Sequence, residues 1–450
     1  MDVSRNSTIS GVVRRSNTRH LILALLFIIT TLNYADRATL SITGSVIRQQ
    51  FGIDAIQMGY IFSAFSWAYV ICQLPCGWLL DRFGAKRVYA TSILVWSAFT
   101  FLQGTIGAFG SAAAAITALM LMRIAVGVAE APAFPANAKV VSEWYPAAER
   151  GTASAIFNSA QYFAAVVFTP LMAWITHAFG WTHVYFVMGV LGVALGGVWL
   201  KMMKSPSQHP RVNRAELEYI QGTDEASRQG AGARTVTPIK KTGGLQNLKS
   251  LLSHRMLLGI YMAQYCVNVL TYFFLTWFPI YLVQARGMTI LKAGLVASLP
   301  AICGFVGGVL GGIISDILIK RGFTLTAARK IPIVGGMLLS MVIIGCNYVS
   351  TDWIVIALMA LAFFGKGIGA LGWAVIADTA PREAMGMSGS IFNMFGNIAG
   401  IVTPIVIGYI VNVSHSFNGA LIFVGAHGLI AVICYLVIVK DIKRVELSPA

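Results

Sequence analysis

The chain has 450 residues, of which 57% are hydrophobic and only 11% are charged, and its mean hydropathy is +0.73. So few polar side chains cannot cover a soluble globule of this size, because its exterior needs polar and charged groups. The formal net charge is +16, and the basic residues lie in particular loops. This distribution indicates the orientation of the chain in a membrane rather than a nucleic-acid partner. The composition therefore predicts a protein that crosses a lipid bilayer several times.

Apolar runs long enough to cross a bilayer occur twelve times along the chain. A helix needs roughly 20 apolar residues to span a hydrocarbon core about 30 Å thick. The runs lie near 20–46, 58–80, 88–108, 112–136, 151–177, 181–203, 255–283, 290–319, 329–349, 352–378, 385–412 and 418–440. The first run is too long for a cleaved signal peptide and lacks a small-residue cleavage site after it, so we expect it to remain as span one.

The two halves of the chain repeat each other at a constant offset of 235 residues (294 minus 59, for example). Gly59, Gly77 and Asp81 recur as Gly294, Gly312 and Asp316, and Pro146, Phe157 and Asn158 recur as Pro381, Phe392 and Asn393. The repeat predicts an all-α membrane protein with two pseudo-symmetric six-helix bundles, residues 1–203 and 255–450, joined by a cytoplasmic linker at 204–254. Two such bundles around a midplane site are typical of a carrier that alternates between faces.

Basic residues mark one side of the predicted membrane protein. They precede span one and follow spans two, six and eight: Arg5, Arg14, Arg15, Arg19; Arg82, Lys86, Arg87; Lys201, Lys204, Arg211, Arg214; Lys320, Arg321, Arg329, Lys330. Because loops rich in Lys and Arg stay in the cytoplasm, both termini and the linker are expected there.

The loop after span two carries the most recognisable motif. It reads Gly77-Trp-Leu-Leu-Asp81-Arg82-Phe-Gly84-Ala-Lys86-Arg87, and a weaker copy with Asp316 follows span eight. This loop resembles the signature of the major facilitator superfamily. An acid at a helix end followed by basic residues can pin a bundle in one state and release it in another. Asp81, Arg82 and Asp316 are therefore candidates for a conformational latch, with a simple surface cap as the alternative for Asp81.

The resemblance covers nearly the whole chain. Asn33-Tyr34-Ala-Asp36-Arg37-Ala-Thr-Leu40, Phe62-Ser-Ala-Phe-Ser-Trp67-Ala-Tyr69 and Glu130-Ala-Pro132-Ala-Phe134-Pro135 are similar to the anion:cation symporter branch, and within it to bacterial hexarate (glucarate and galactarate) carriers. The resemblance implies a bacterial inner-membrane protein that imports a sugar acid together with protons. It assigns Arg37 to a substrate carboxylate and Asp36 to proton handling. It also adds substrate contacts: Tyr34, Tyr69, Gln161, Trp373 and Asn393.

Five charged residues lie well inside the predicted spans, away from their ends: Asp36, Arg37, Arg123, Glu130 and Lys366. Each costs roughly 2.5–3.5 kcal/mol at the middle of a membrane helix, so a functional role is the default. We expect Glu130 to be the principal coupling carboxylate and Arg123 to modulate it. The alternatives are a static ion pair between Asp36 and Arg37, and a structural pair that braces spans one and four.

Lys366 indicates the substrate class. Arg37 and Lys366 lie in opposite halves, so a six-carbon diacid can place one carboxylate on each, while Asn158 and other amides bind its hydroxyls. Snorkelling of Lys366 toward an interface is the alternative. A monoacid such as an aldonate (galactonate) or a hexuronate remains the alternative substrate.

Several other classes of protein are not supported by the sequence. It contains no Walker loop and no HExxH or GxSxG arrangement, and its six cysteines lie in apolar runs without metal spacing. We therefore expect no enzyme activity, no metal or cofactor and no nucleic-acid partner. The expected partners are a small organic anion, protons and the lipid bilayer, and the expected form is a monomer.

Overall fold

The computed structural model describes residues 15–146, 149–220, 244–381 and 384–446, and within these ranges the chain forms helices and turns. The first half contains α1 Thr18–Phe51, α2 Ala55–Phe83, α3 Ala85–Gln103, α4 Ala112–Glu130, α5 Ala133–Trp144, α6 Arg150–Phe179, α7 Trp181–Met202 and the short α8 at 214–220. The second half contains α9 Gly244–Ser253, α10 Arg255–Thr276, α11 Phe278–Gln284, α12 Ile290–Lys320, α13 Leu325–Ser340, α14 Asp352–Ile368, α15 Gly372–Thr379, α16 Met385–Ser414 and α17 Asn418–Ile433.

Eleven helical segments of the described chain are long and apolar enough to cross a membrane. The twelfth predicted span corresponds to α3, which continues as a 3-10 helix at Gly104–Ala108. Lys86 and Arg87 at the start of α3 reduce its hydropathy, and α3 is not among the eleven. All twelve predicted spans are thus helical in the structure.

Three spans that the sequence predicted as continuous are divided in two. The run at 112–136 becomes α4 and α5, the run at 255–283 becomes α10 and α11, and the run at 352–378 becomes α14 and α15. Pro132 and Pro279 lie at the first two breaks and lack the backbone N–H that a helix interior needs. Such interruptions are tolerated in membranes only where protein or a cavity surrounds the freed backbone.

The internal repeat is visible in the backbone. Gly52 and Gly287, 235 residues apart, both adopt left-handed conformations, with φ of +65° and +64°. Two residues further on, Asp54 and Thr289 each cap the next helix by accepting a backbone N–H with the side chain. The turn between the first two spans of each half is therefore the same structure made twice.

The halves meet along α2 with α16 and along α6 with α12. A Cβ atom at Gly59 would lie 2.6 Å from the carbonyl oxygen of Pro404, so these helices approach closely only because glycine is there. Gly59 lies near the start of α2, at the end of the molecule remote from the described chain ends. This end is called the far end below, and the opposite side is called the terminal face. Arg48 Nη1 also donates to Gln284 Oε1 across this end at 2.7 Å. The halves are thus in contact at the far end.

Part of the predicted linker is ordered against the first half, and its residues 221–243 lie outside the described part of the chain. Glu216 of α8 is fully buried and accepts the backbone N–H groups of Thr18 and Arg19, at 2.9 and 3.1 Å. Burial alone would raise the pKa of Glu216, but the hydrogen bonds from Ser16, Arg19 and Thr18 lower it below its ordinary value. A carboxylate on these N–H groups caps the start of α1.

Candidate functional site

The centre of the first half holds a buried ion pair between α1 and α4. Arg37 Nε lies 2.9 Å from Glu130 Oε2, and the two side chains are 8% and 0% exposed. The sequence predicted a role for both residues, with a structural pair between spans one and four as the alternative, but it did not name Arg37 and Glu130 as partners. Both charges are removed from water. The loss of either partner would therefore leave the other as an uncompensated charge in an apolar interior.

Aromatic rings surround the Arg37 guanidinium. Its Cζ lies 5.1, 4.8 and 4.7 Å from the ring centroids of Tyr34, Phe65 and Tyr69. The guanidinium of Arg123 lies 5.3 Å from the same Phe65 ring. The cation is therefore held by ring faces as well as by Glu130, which suits Arg better than Lys. Phe65 is a site residue that sequence analysis missed, although its spacing of four from Tyr69 is a helical signal.

Asp36 points away from its neighbour Arg37. Its carboxylate lies beside the indole of Trp96, with Glu130 and Arg123 in its electrostatic surroundings. Neither of its oxygens finds a hydrogen-bond partner among the described residues. Adjacent residues on a helix diverge by about 100°, which explains why Arg37 pairs with Glu130 and not with Asp36.

A small cavity of about 90 Å³ lies between the two halves. Tyr34, Ser41 and Gln161 line it from the first half, and Thr271 and Phe363 line it from the second. It is bounded by tyrosine, amide and hydroxyl groups on one side and by aromatic surface on the other. Two of the predicted substrate contacts, Tyr34 and Gln161, thus share one inter-bundle space.

Lys366 is buried at 5% exposure and forms no hydrogen bond or ion pair with any residue that the structure describes. Its Nζ lies 5.0 Å from the ring centroid of Phe363, which itself lines the inter-bundle cavity. A buried ammonium with only a ring face beside it is poorly compensated. The arrangement leaves Lys366 able to accept an anionic partner.

Three further predicted contacts lie outside this cavity lining. Asn158 is exposed and donates to the Ser154 carbonyl in its own helix, at 2.8 Å. Trp373 is 56% exposed, with its ring 4.9 Å from that of Phe392. Asn393 is half-buried, and its backbone carbonyl accepts a hydrogen bond from Asn397. No described contact joins these three side chains to Arg37 or Lys366.

Asp81 and Arg82, two of the predicted latch residues, have partners within their own half. Lys139 Nζ lies 2.9 Å from Asp81 Oδ1 and donates to the Leu80 carbonyl, so it ties α5 to the end of α2. Arg82 stacks on Trp78, with 5.2 Å from its Cζ to the ring centroid. Lys139 was missed by sequence analysis because it lies 58 residues from Asp81.

In the second half, an ion pair joins a different set of helices. Asp378 of α15 pairs with Arg329 of α13 at 2.8 Å, and Arg329 also donates to Ser315 of α12. Asp316, the predicted latch residue of this half, is exposed and forms no ion pair with a residue that the structure describes. The Arg329–Asp378 pair joins α13 to α15, whereas the Lys139–Asp81 pair joins α5 to α2.

The chain matches the model of the Major Facilitator Superfamily over residues 26–329. It is 60% identical over 447 residues to the "Probable galactarate/D-glucarate transporter GudP" of Escherichia coli (strain K12), with 99% of both chains covered. It is 57% identical to the protein of the same name from Bacillus subtilis (strain 168), with 98% of this chain and 96% of that protein covered. It is 38% identical to the "D-galactonate transporter" of Escherichia coli O6:H1, covering 99% and 100%.

A solved structure has the same fold at low sequence identity. The bacterial homologue of the human lysosomal transporter Spinster, in an inward-facing and occupied conformation, superposes with a TM-score of 0.69 over 94% of both chains, at 15% identity. The fold, the family match and the full-length relatives agree with the helical, two-half architecture described above. The chain belongs to the Major Facilitator Superfamily and is a multi-pass membrane transporter.

Proposed function

We propose that this transporter is a proton-coupled symporter that imports a sugar diacid of the glucarate or galactarate type by alternating access. The full-length relatives at 60% and 57% identity carry names for such substrates. Identity at this level over nearly the whole of both chains supports the transfer of substrate class more strongly than the shared fold does. The transported partners are then one organic dianion and protons.

The observation that carries the proposal is the buried pair of Arg37 with Glu130. A substrate carboxylate that approaches Arg37 competes with Glu130 for the same guanidinium. Once Glu130 loses its cation in a low-dielectric site, its charged form becomes costly, and it takes up a proton. Substrate binding and proton binding thereby favour each other, which is what symport requires.

The second cation supports a diacid over a monoacid. Lys366 is buried in the other half and has only the ring of Phe363 beside it. A substrate with carboxylates at both ends would neutralise Arg37 and Lys366 together and draw the two halves toward each other. A monoacid would satisfy Arg37 and leave the Lys366 ammonium uncompensated.

The remaining parts of the proposal concern topology and motion. The terminal face is proposed to be cytoplasmic in a bacterial inner membrane, because Arg19, Arg82 and Lys201 belong to its basic loops. The bundles 1–203 and 255–450 would rock about the central site as a monomer, with 204–254 as the linker. Asp81, Arg82 and Asp316 would act as the latch, and Asn158, Trp373 and Asn393 would reach the substrate as the bundles close.

The test is pH-gradient-driven uptake of labelled glucarate into proteoliposomes by the wild type, Glu130→Gln and Lys366→Asn, with galactonate as competitor. We expect gradient-driven uptake in the wild type, its loss in Glu130→Gln, and stronger competition by galactonate in Lys366→Asn. If the rate of glucarate uptake by the wild type did not depend on the pH gradient, proton symport would be refuted.

A monoacid carrier is the second candidate, because the chain is also 38% identical to a D-galactonate transporter over its full length. In the same experiment, a wild type that takes up galactonate but not glucarate would establish this candidate. Lys366 would then be a structural residue.

A further inference from the structure

A column of buried polar side chains runs through the first half beside the ion pair. Arg123, Glu130, Asn137 and Trp144 follow one another at intervals of seven residues along α4 and α5, and two helical turns advance the chain about 10 Å. Glu130, Asn137 and Trp144 are each 1% exposed or less. Such residues are costly in a membrane interior unless they face one another or water.

Side chains from α1 and α3 complete this column. Asn137 Nδ2 donates to Thr30 Oγ1 at 2.9 Å, and the hydroxyl of Tyr89 lies beside both residues. Asn33 lies beside the Glu130 carboxylate, and Glu130 is within electrostatic range of Tyr89. Polar groups therefore continue from Glu130 toward the terminal face.

Many polar atoms of the column lack a protein partner. Among the described residues, no hydrogen-bond partner of normal geometry reaches Glu130 Oε1, Asn137 Oδ1 or Trp144 Nε1, and the Tyr89 hydroxyl lies beside Thr30 and Asn137 without a hydrogen bond of normal geometry. Each such atom costs about 1–3 kcal/mol if it is left unsatisfied. Buried polar groups without protein partners are normally bound to ordered water, which makes about three hydrogen bonds per molecule. The orphaned atoms therefore mark positions for a chain of water molecules.

The column ends close to the terminal face, at the buried residues Trp144 and His209. The Trp144 ring lies 5.5 Å from that of His209, and the hydroxyl of the next residue, Tyr145, donates to the Arg19 carbonyl at 2.9 Å. Arg19 Nε lies 3.3 Å from an oxygen of Glu149, whose side chain is 33% exposed. A carboxylate in contact with solvent thus stands at the end of the buried column.

We propose that this column is the proton exit, a hydrated path from Glu130 past Tyr89, Thr30 and Asn137 to the terminal face that is separate from the substrate cavity. The inference rests on the proposed symport. A proton on Glu130 passes to a neighbouring water, and each oxygen along the path accepts one proton as it gives up another. Tyr89 can take part in this relay because a hydroxyl both donates and accepts, whereas Thr30 and Asn137 hold the water in place.

The path has a consequence for the transport cycle. The inter-bundle cavity is lined by residues that include Tyr34 and Gln161, and its lining does not include Thr30, Tyr89 or Asn137. The proton and the substrate then leave by different routes, and an occupied substrate cavity does not block proton release. Deprotonated Glu130 can recapture Arg37 from the substrate carboxylate, which promotes substrate release on the same side.

The test uses near-isosteric variants that remove polar atoms from the column: Asn137→Leu, Thr30→Val and Tyr89→Phe. Ser97→Ala is the matched control, because Ser97 is a fully buried hydroxyl of α3 that bonds only to its own helix, at Ile93. Two rates are measured in proteoliposomes: glucarate uptake driven by a pH gradient, and glucarate counterflow at equal pH. Counterflow exchanges substrate without net proton release.

We expect Asn137→Leu and Tyr89→Phe to slow gradient-driven uptake at least tenfold while counterflow stays within twofold of wild type, with a larger H₂O/D₂O rate ratio. Thr30→Val should behave in the same way but more weakly, and Ser97→Ala should change neither rate. Equal losses in both rates in well-folded variants, or gradient-driven uptake unchanged in all three variants, would overturn the separate path. A wild type without gradient-driven uptake would instead refute the proposed symport itself.

Discussion

The two halves share a backbone plan but differ in the chemistry of their interiors. The repeat-equivalent positions show the difference: Asp36, Arg37 and Glu130 correspond to Thr271, Tyr272 and Gly365, and Lys366 corresponds to Ala131. The first half therefore holds an acid–base network, and the second half holds one uncompensated cation. By contrast, the glycine turns and helix caps at the far end recur almost unchanged.

The two halves therefore share their helices, turns and caps, whereas the charged residues in their interiors differ. Two identical sets of charges at the midplane would place like charges opposite each other and double the cost of burial. Separating the proton network from the second cation avoids that repulsion. In the proposed function, this separation would also let a diacid bridge the halves. The comparison can be tested by changing each half in turn.

The largest effect is expected from Arg37→Lys. The change keeps the charge but removes the planar fork and its packing on Tyr34 and Tyr69. Hydrogen bonds to charged groups are each worth about 1.5–3 kcal/mol, so the apparent affinity for glucarate should fall by roughly 10–100-fold. Arg286→Lys is the control, because Arg286 pairs with Asp352 at the far end, away from the site. An unchanged KM for uptake in Arg37→Lys would exclude Arg37 as the carboxylate ligand.

A smaller effect is expected from Lys366→Met, which removes the buried charge that the second half is proposed to contribute to the site. The loss of one carboxylate contact should weaken glucarate binding by about tenfold and leave galactonate binding nearly unchanged. Lys292→Met is the control, since Lys292 is half-exposed and pairs loosely with Asp352. The comparison is made by measuring inhibition constants for both acids. If glucarate and galactonate lost affinity equally, Lys366 would be a structural residue and not a contact of the second carboxylate.

The contact between the halves can be loosened with Gln284→Leu. The variant removes the acceptor of the Arg48 hydrogen bond across the far end, worth about 1–2 kcal/mol. The far end should then open several-fold more often. Alkylation of an introduced cysteine, Ser41→Cys, by an impermeant maleimide added to that side would measure the change.

The matched control for this contact is Gln50→Leu, which removes a hydrogen bond at the same end but inside the first half, from Trp181. Its alkylation rate should equal that of the parent. Equal acceleration in both variants would mean that general loosening, and not separation of the halves, exposes residue 41.

The smallest effect is expected from Glu216→Gln, which weakens the docking of α8 on the first half. The pKa of Glu216 is lowered in the folded protein, so its contribution to stability is present above its ordinary value near 4.3 and is lost as the pH falls through the lowered value. At pH 7 the melting temperature should drop by a few degrees, for a loss of about 1–3 kcal/mol.

The difference between wild type and Glu216→Gln should shrink as the pH is lowered below 4. Glu218→Gln is the control, because Glu218 is exposed and pairs only with Arg214 one turn away. Melting temperatures of the purified protein across this pH range test the prediction. A difference that does not depend on pH would show that shape, and not charge, holds α8 in place.

Local patterns were enough to predict much of this molecule. Hydropathy predicted the spans, and the constant offset predicted two halves, because both depend on residues that are close in sequence or repeated along it. The rarity of charge inside the spans singled out Arg37, Glu130 and Lys366. Interruptions of α4 and α14 were missed, since a run of apolar residues looks the same whether or not its helix is broken.

The partners of the charged residues could not be predicted in the same way. Arg37 lies 93 residues from Glu130, and Lys139 lies 58 residues from Asp81. Which side chains meet depends on how far each helix is rotated about its axis, and neighbouring helices set that rotation through packing. The buried column was visible in the spacing of Glu130, Asn137 and Trp144, but an interval of seven is also usual in ordinary helix packing.

The sequence by itself determined that this protein is a two-half helical carrier with a few charges in its membrane interior, because the bilayer allows few alternatives to apolar helices. The tertiary structure decided that Arg37 pairs with Glu130, that Asp36 turns toward Trp96, and that Glu216 caps α1. These contacts join residues far apart in the chain, so they exist only once helices have packed and excluded water. The same packing leaves polar atoms around Asn137 without protein partners.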